Sequence, residues 1–489
     1  MRNLFLLCFS GLLFACVPNV QVLVAAALPN PLALEAVKVE KNVIAGFQEP
    51  HTPMEFNKAI YLRYFASNQK PRAVLVLMPG FLGGAQNFDR LARTIVSSDP
   101  SLEVWAVDRR SNLLEDQGKL LEAHQKRDPL IAWRYMIRDA GKPDGFQART
   151  PRDVAFMGYW GLKVHLEDLR AVVLKAREAA TKVFLGGHSL GASLVGLYAG
   201  WDFAGSTGDK DLAGVVMIDG VPSGAGIGNA ISEQQYQNGS NGFFGIRTAG
   251  VKELEAGTAT PYFEALNYSP SSLGKLGAAA QLAAFDPNGD SPGGIVGYAA
   301  SNLAAAMVAG DDNYALVSIF SVSAGNAIGA KLAINGLAVI LSGFAGFQTP
   351  EIIGVAENSK RVEWQIPNQD DPLEHTDPLD FATRFWTPSA DFQEWYFPTR
   401  LTLEVGVVGL EAPAWARSSL PLTHLSAVNL PILAIRAGRG IVTAPNAFDA
   451  LEQKLGRKIE IKDLPGYTHL DILAARANAL GGWLIDFIK

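Results

Sequence analysis

Three short stretches of the chain are almost purely apolar and end on turn residues. Arg72–Met78 (RAVLVLM) lies between Pro71 and Pro79-Gly80, Lys182–Gly186 (KVFLG) runs into Gly187-His188-Ser189, and Gly214–Ile218 (GVVMI) stops at Asp219. Apolar runs of this length between turn signals predict buried strands. Glu103–Val107, Pro431–Arg436 and Lys458–Lys462 read the same way. Between them the period changes. Phe88, Leu91, Ala92 and Ile95 fall on one helical face, as do Leu162, Leu166, Leu169 and Val173. Further helices are expected over Leu190–Ala199, near Ala447–Leu455, and from Thr468 to Lys489. Strands alternating with helices predict an α/β architecture, a doubly wound and mostly parallel sheet covered on both faces.

The alternation stops at Val221 and resumes near Leu430. That gap is too long for a loop and is expected to be a large, mainly helical unit inserted after the strand ending at Ile218. The predicted organisation is a leader over 1–27, the first part of the core over 28–220, an insertion over 221–429 that acts as a cap, and the second part of the core over 430–489. A smaller insertion runs from Ser111 to about Trp160, where LEAHQKRDPLIAWRYMI reads as helical.

Composition narrows the function. The 489 residues are 48% hydrophobic and 18% charged, with a net charge of -6. This is too apolar for a disordered chain and lacks a basic nucleic-acid footprint. The two cysteines, Cys8 and Cys16, both lie near the N-terminus, so no disulfide framework or thiolate metal site is available to the rest of the chain. Arg2 followed by the apolar run Leu4–Val17 predicts an export signal, with Ala25-Ala26-Ala27 offering a cleavage site before Leu28. Export to the periplasm or the extracellular space is the expectation. Leu13-Phe14-Ala15-Cys16 leaves a lipid anchor on Cys16 as the alternative. The run is shorter than the ~20 residues a membrane span needs.

Gly187-His188-Ser189-Leu190-Gly191 is a G-x-S-x-G turn leading from a predicted strand into a predicted helix. That context makes Ser189 a candidate nucleophile, held exposed in a strained turn whose flanking glycines avoid a clash. A serine hydroxyl needs a base. His469, between the last predicted strand and the last predicted helix, is expected at the same sheet edge as Ser189. His188 is read as structural. The base needs a carboxylate to fix its tautomer. The loop 436–443, after Pro431–Arg436, contains no acid, and Asp219 at the end of GVVMI is the candidate. A turn-capping Asp before Pro222 is the plainer alternative for it. Asp108, also at a strand end, is read as a structural partner of Arg109 or Arg110. Met78-Pro79-Gly80-Phe81-Leu82-Gly83-Gly84 leaves the first predicted strand as a loop, and the backbone N–H groups of Phe81 and Leu190 are the expected oxyanion donors.

Together these residues resemble the α/β-hydrolase superfamily, its lipase- and esterase-like members in particular. The resemblance covers about Pro71–Gly220 and Leu430–Lys489. It implies a serine hydrolase with catalytic residues Ser189, Asp219 and His469, acting on carboxylic esters without a cofactor or a metal. Pro79-Gly80-Phe81 departs from the family's usual His-Gly-x. The usual acid position, near Gly440 here, is empty, and Asp219 matches an alternative placement found in some lipases. Acyltransferases and amidases or peptidases use the same triad, and a non-catalytic binding protein on a hydrolase scaffold is a further alternative.

The resemblance also implies that the insertion caps the pocket. Asn313–Pro350 carries one charged residue, Lys331. Such a stretch suits either a cap's own core or a lipid-facing lid, and a lipophilic ester is the expected substrate, with transient contact between the cap and a lipid surface. Asp286-Pro287-Asn288-Gly289-Asp290 lacks the later ligands of a calcium loop and is read as a turn. Gly224-Ala225-Gly226-Ile227-Gly228 does not match the dinucleotide fingerprint. The acidic stretch from Asp370 to Asp380 is read as a solvated loop.

Overall fold

The computed structural model describes residues 31–67, 69–222, 231–241, 247–265, 267–317, 320–340, 349–368 and 371–489. The predicted leader, both cysteines, the glycine-rich 224–228 and Asp370 lie outside them.

Eight strands form the central sheet. They are β1 (Lys38–Ala45), β2 (Lys58–Phe65), β3 (Ala73–Met78), β4 (Leu102–Asp108), β5 (Lys182–His188), β6 (Gly214–Ile218), β7 (Ile432–Arg439) and β8 (Glu460–Thr468). Their order is β1-β2-β4-β3-β5-β6-β7-β8. Strand β2 runs against both of its neighbours, and every other pair from β4 onward is parallel. This is the α/β-hydrolase arrangement.

The apolar runs become the central strands because both faces of the sheet are covered. Along β3, Val74, Val76 and Met78 enter one core cluster, and Ala73, Leu75 and Leu77 the other. Helices α1 (Asp89–Ser98), α2 (Leu162–Ala179), α3 (Leu190–Gly200), α4 (Asp449–Leu455), α5 (Asp471–Ala474) and α6 (Ala479–Ile488) complete the layers. Leu162, Leu166 and Leu169 of α2 bury against the first cluster, while Ile95 of α1 and Leu484 of α6 bury against the second.

Two features differ from the sequence expectation. The antiparallel pair β1/β2 extends the sheet ahead of the first predicted strand. The C-terminal segment also forms two helices instead of one. The break falls at Ala475–Asn478, where the Asn478 side chain accepts from the Leu480 amide and starts α6 afresh.

Residues 221–429 connect β6 to β7. Helices Pro270–Phe285, Asn302–Met307 and Pro378–Phe385 pack together around a cluster that includes Leu303, Met307, Phe381 and Phe385. Three small two-stranded ladders accompany these helices. Other residues of the segment, including Tyr262 and Trp395, join the main core. In the smaller insertion, Gly118–Lys126 and Pro129–Trp133 are helical. Among the described residues no helix is long and apolar enough to cross a membrane.

Candidate active site

Strand β5 passes into α3 through Ser189, whose φ of 57° and ψ of −124° lie in a region that L-residues rarely occupy. Such a conformation costs about 1–3 kcal/mol and persists only where its surroundings impose it. Here the Ser189 amide donates to the Ile218 carbonyl at 2.9 Å. A Cβ on Gly187 would fall on the Gly191 carbonyl, and one on Gly191 on the Met78 carbonyl. The two glycines of the motif are therefore steric requirements of the turn. Ser189 is half-buried at the head of α3, where the first-turn amides have no intrahelical partner.

Asp219 follows β6 and His469 follows β8, with β7 between them. Asp219 Oδ2 lies 2.5 Å from His469 Nδ1, and both side chains are buried. The Asp219 carboxylate also accepts from the amides of Ala437 at 3.2 Å, Ile441 at 3.0 Å and Val442 at 3.3 Å. The end of β7 and the turn after it, which carry no acid of their own, wrap the carboxylate that arrives from β6. Gly440 permits this approach, since a Cβ there would fall on Asp219 Oδ2. Burial pushes the Asp219 carboxyl up, but its bond and attraction to His469, with the Ile441 amide, outweigh burial and hold it below the usual range.

His188 stands behind this pair. Its Nε2 lies 2.8 Å from the His469 carbonyl oxygen, so Nε2 is the protonated nitrogen that donates. The two imidazoles are 4.2 Å apart. Burial, followed by repulsion from His469, lowers the His188 pKa to about 3. His188 is a neutral brace for the His469 backbone. Ser189 Oγ makes no hydrogen bond to another described residue.

The loop after β3 lies beside Ser189, with a Cβ on Gly80 falling 3.3 Å from Ser189 Oγ. The Phe81 ring packs against Phe263 at 4.9 Å and Phe397 at 4.6 Å, and reaches Phe320 at 6.0 Å. Beside Phe320, a small, mostly apolar cavity of about 40 Å³ is lined by Ala280, Ala306, Met307, Phe381 and Phe385 among others.

The Asp108 expectation requires correction. Asp108 accepts from the Ala85 amide at 2.8 Å and from the Asn112 side chain, not from either arginine. Arg109 instead pairs with Glu394 at 2.5 Å, and Arg110 grips Asp168 of α2 with bonds of 2.7 and 2.6 Å. Strand geometry explains the miss. Asp108 turns to the loop beside β4, while the arginines reach partners remote in sequence. Nor is the acidic stretch merely solvated. Asp377 caps the helix Pro378–Phe385, Asp380 pairs with Arg90 and Arg384, and Glu374 accepts from the Gly325 amide. Asp286–Asp290 is a turn whose Asp290 binds Arg361.

No family model matches the chain, and no curated protein matches it. Solved structures similar to it include a candidate lipase from Sulfolobus solfataricus, at 14% identity and a TM-score of 0.49, with 95% of each chain covered. A soluble variant of monoglyceride lipase from Saccharomyces cerevisiae is similar at 11% identity and 0.36, covering 88% of this chain and 91% of that one. A thermostable carboxyl esterase from Bacillus coagulans is similar at 14% and 0.37, covering 92% and 97%. The fold assignment rests on the strand order and not on these likenesses.

Proposed function

We propose that this chain is a serine hydrolase of carboxylic esters, with Ser189 as nucleophile, His469 as base and Asp219 as the acid that orients it. The observation that carries the reading is the 2.5 Å contact of Asp219 with His469 at the sheet edge where Ser189 is held strained. With its Nδ1 proton held by Asp219, the neutral imidazole keeps a free electron pair on Nε2. Nε2 takes the hydroxyl proton as Ser189 Oγ attacks the ester carbonyl. The Phe81 and Leu190 amides receive the developing oxyanion. The carbon–oxygen bond to the alcohol then breaks, and His469 gives the proton to the departing oxygen. Water, deprotonated by His469, attacks the acyl-enzyme, which releases the acid and restores Ser189.

The small apolar cavity beside Phe320, whose ring lies 6.0 Å from that of Phe81, supports a lipophilic group on the substrate. Ile334 and Ile340 of the 221–429 segment are 81% and 80% exposed, which supports transient contact of that segment, acting as a cap, with a lipid surface. The apolar run behind Arg2 supports export, with cleavage before Leu28 or anchoring at Cys16.

Intact-mass analysis after fluorophosphonate treatment, beside a Ser189→Ala control, tests the reading. One adduct that vanishes in the control is expected. Product analysis with an added alcohol then separates hydrolysis from acyl transfer. No adduct on the wild-type protein overturns the assignment.

A further inference from the structure

We infer that Arg109 and Glu394 are a positioning pair that fixes the 79–83 loop so that the Phe81 amide serves as an oxyanion donor. The inference rests on the hydrolase reading and names residues that sequence motifs do not. Both side chains are fully buried, at 0% exposure. Arg109 directly follows β4, and Glu394 belongs to the 221–429 segment.

The guanidinium spreads over three carbonyls of the loop. Nη2 donates to Pro79 O at 2.5 Å and Gly80 O at 2.9 Å, and Nη1 donates to Gly83 O at 3.2 Å and to Glu394 Oε2. A planar trans peptide points its C=O and N–H in opposite directions. Holding Gly80 O toward Arg109 therefore turns the Phe81 N–H away from Arg109, in a loop whose Gly80 abuts Ser189 Oγ. A lysine, with a single point of charge, cannot reach this spread of carbonyls.

Glu394 holds the other end. Its own amide donates to Leu82 O at 2.8 Å, and its Oε1 accepts from the Ser111 hydroxyl. Adjacent residues add to the seam. Gly83 bridges Gln393, the Gly84 amide donates to Phe392 O at 2.9 Å, and Asn87 donates to the same carbonyl at 2.5 Å. The Phe397 ring lies 5.3 Å from the Arg109 guanidinium and also packs on Phe81. The segment 392–397 is thus part of the scaffold of the site, and any opening of the cap would occur elsewhere in 221–429.

The test compares Arg109→Lys and Glu394→Gln with wild type on p-nitrophenyl butyrate, with circular dichroism and thermal midpoint as fold controls. Loss of one oxyanion donor lowers turnover about 10²–10³-fold. For Arg109→Lys we expect a folded protein with kcat down about 100-fold or more and KM within threefold. The Ki of a trifluoromethyl ketone, which binds as the tetrahedral adduct, should rise by a similar factor. Glu394→Gln, which keeps an acceptor but no charge, should lose about tenfold in kcat. A folded Arg109→Lys with kcat within threefold of wild type overturns the inference. If Arg109→Lys does not fold, an unchanged kcat and ketone Ki in Glu394→Gln overturn it. If wild-type Ser189 takes no fluorophosphonate, the hydrolase reading itself fails and the inference falls with it.

Discussion

Replacing Asp219 by Asn changes one atom and reverses one hydrogen bond. In the native site Oδ2 accepts from His469 Nδ1 and the Ile441 amide, while Oδ1 accepts from the Ala437 and Val442 amides. An asparagine has two ways to sit there. With its NH2 toward Ala437 and Val442, two buried amides would each face a donor, at about 1–3 kcal/mol apiece. With its NH2 toward His469 and Ile441, only the Ile441 amide faces a donor, and His469 can adapt by moving its proton to Nε2. The second arrangement wins, and it removes the electron pair that must take the Ser189 proton. The expected loss in kcat is about 10⁴-fold, equivalent to roughly 5–6 kcal/mol of barrier. Folding stability should fall by only about 1–3 kcal/mol from the unpaired Ile441 amide. Initial rates on p-nitrophenyl butyrate, with Ser189→Ala as the floor and a urea transition as the fold check, measure both. Turnover within tenfold of wild type in a folded Asp219→Asn protein would refute the assignment of the acid.

Gly440→Ala places a methyl group onto Asp219 Oδ2, so activity should fall at least tenfold while the protein stays folded, as read by the same assay beside circular dichroism. Ala306→Phe should fill part of the apolar cavity and lower kcat/KM for p-nitrophenyl palmitate at least tenfold, leaving the butyrate rate near wild type. An equal loss on both esters would separate that cavity from the substrate's apolar group. The buried Asp391 is raised to about 7, first by burial and then by repulsion from Asp108, and burial with repulsion from Asp391 raises Glu115 as well. The folded state therefore holds protons that the unfolded chain releases near pH 4. The stability these groups contribute is complete below that pH and is lost as pH rises through their raised folded-state values. Urea midpoints should fall between pH 5 and pH 8 through this contribution, and Asp391→Asn should flatten that slope.

What was legible in the sequence was local. Continuous apolar runs such as AVLVLM and GVVMI report burial on both faces, and β3 and β6 follow them. The G-x-S-x-G turn is readable because its glycines answer to sterics within a few residues. Strands β1 and β2 escaped notice. Along KVEKNVIA the exposed positions dominate, since β1 is an edge strand with one partner, and an edge strand leaves little apolar signal. The end-of-strand positions of Asp219 and His469 were also visible. The wrapping of Asp219 by amides from 437–442, more than two hundred residues on, belongs to the parallel pairing of β6 with β7. Arg109 and Glu394 are 285 residues apart. Their residue types announce charge, but a charge in a sequence names no partner. Only the folded chain, which removes both from water, decides that each must find the other.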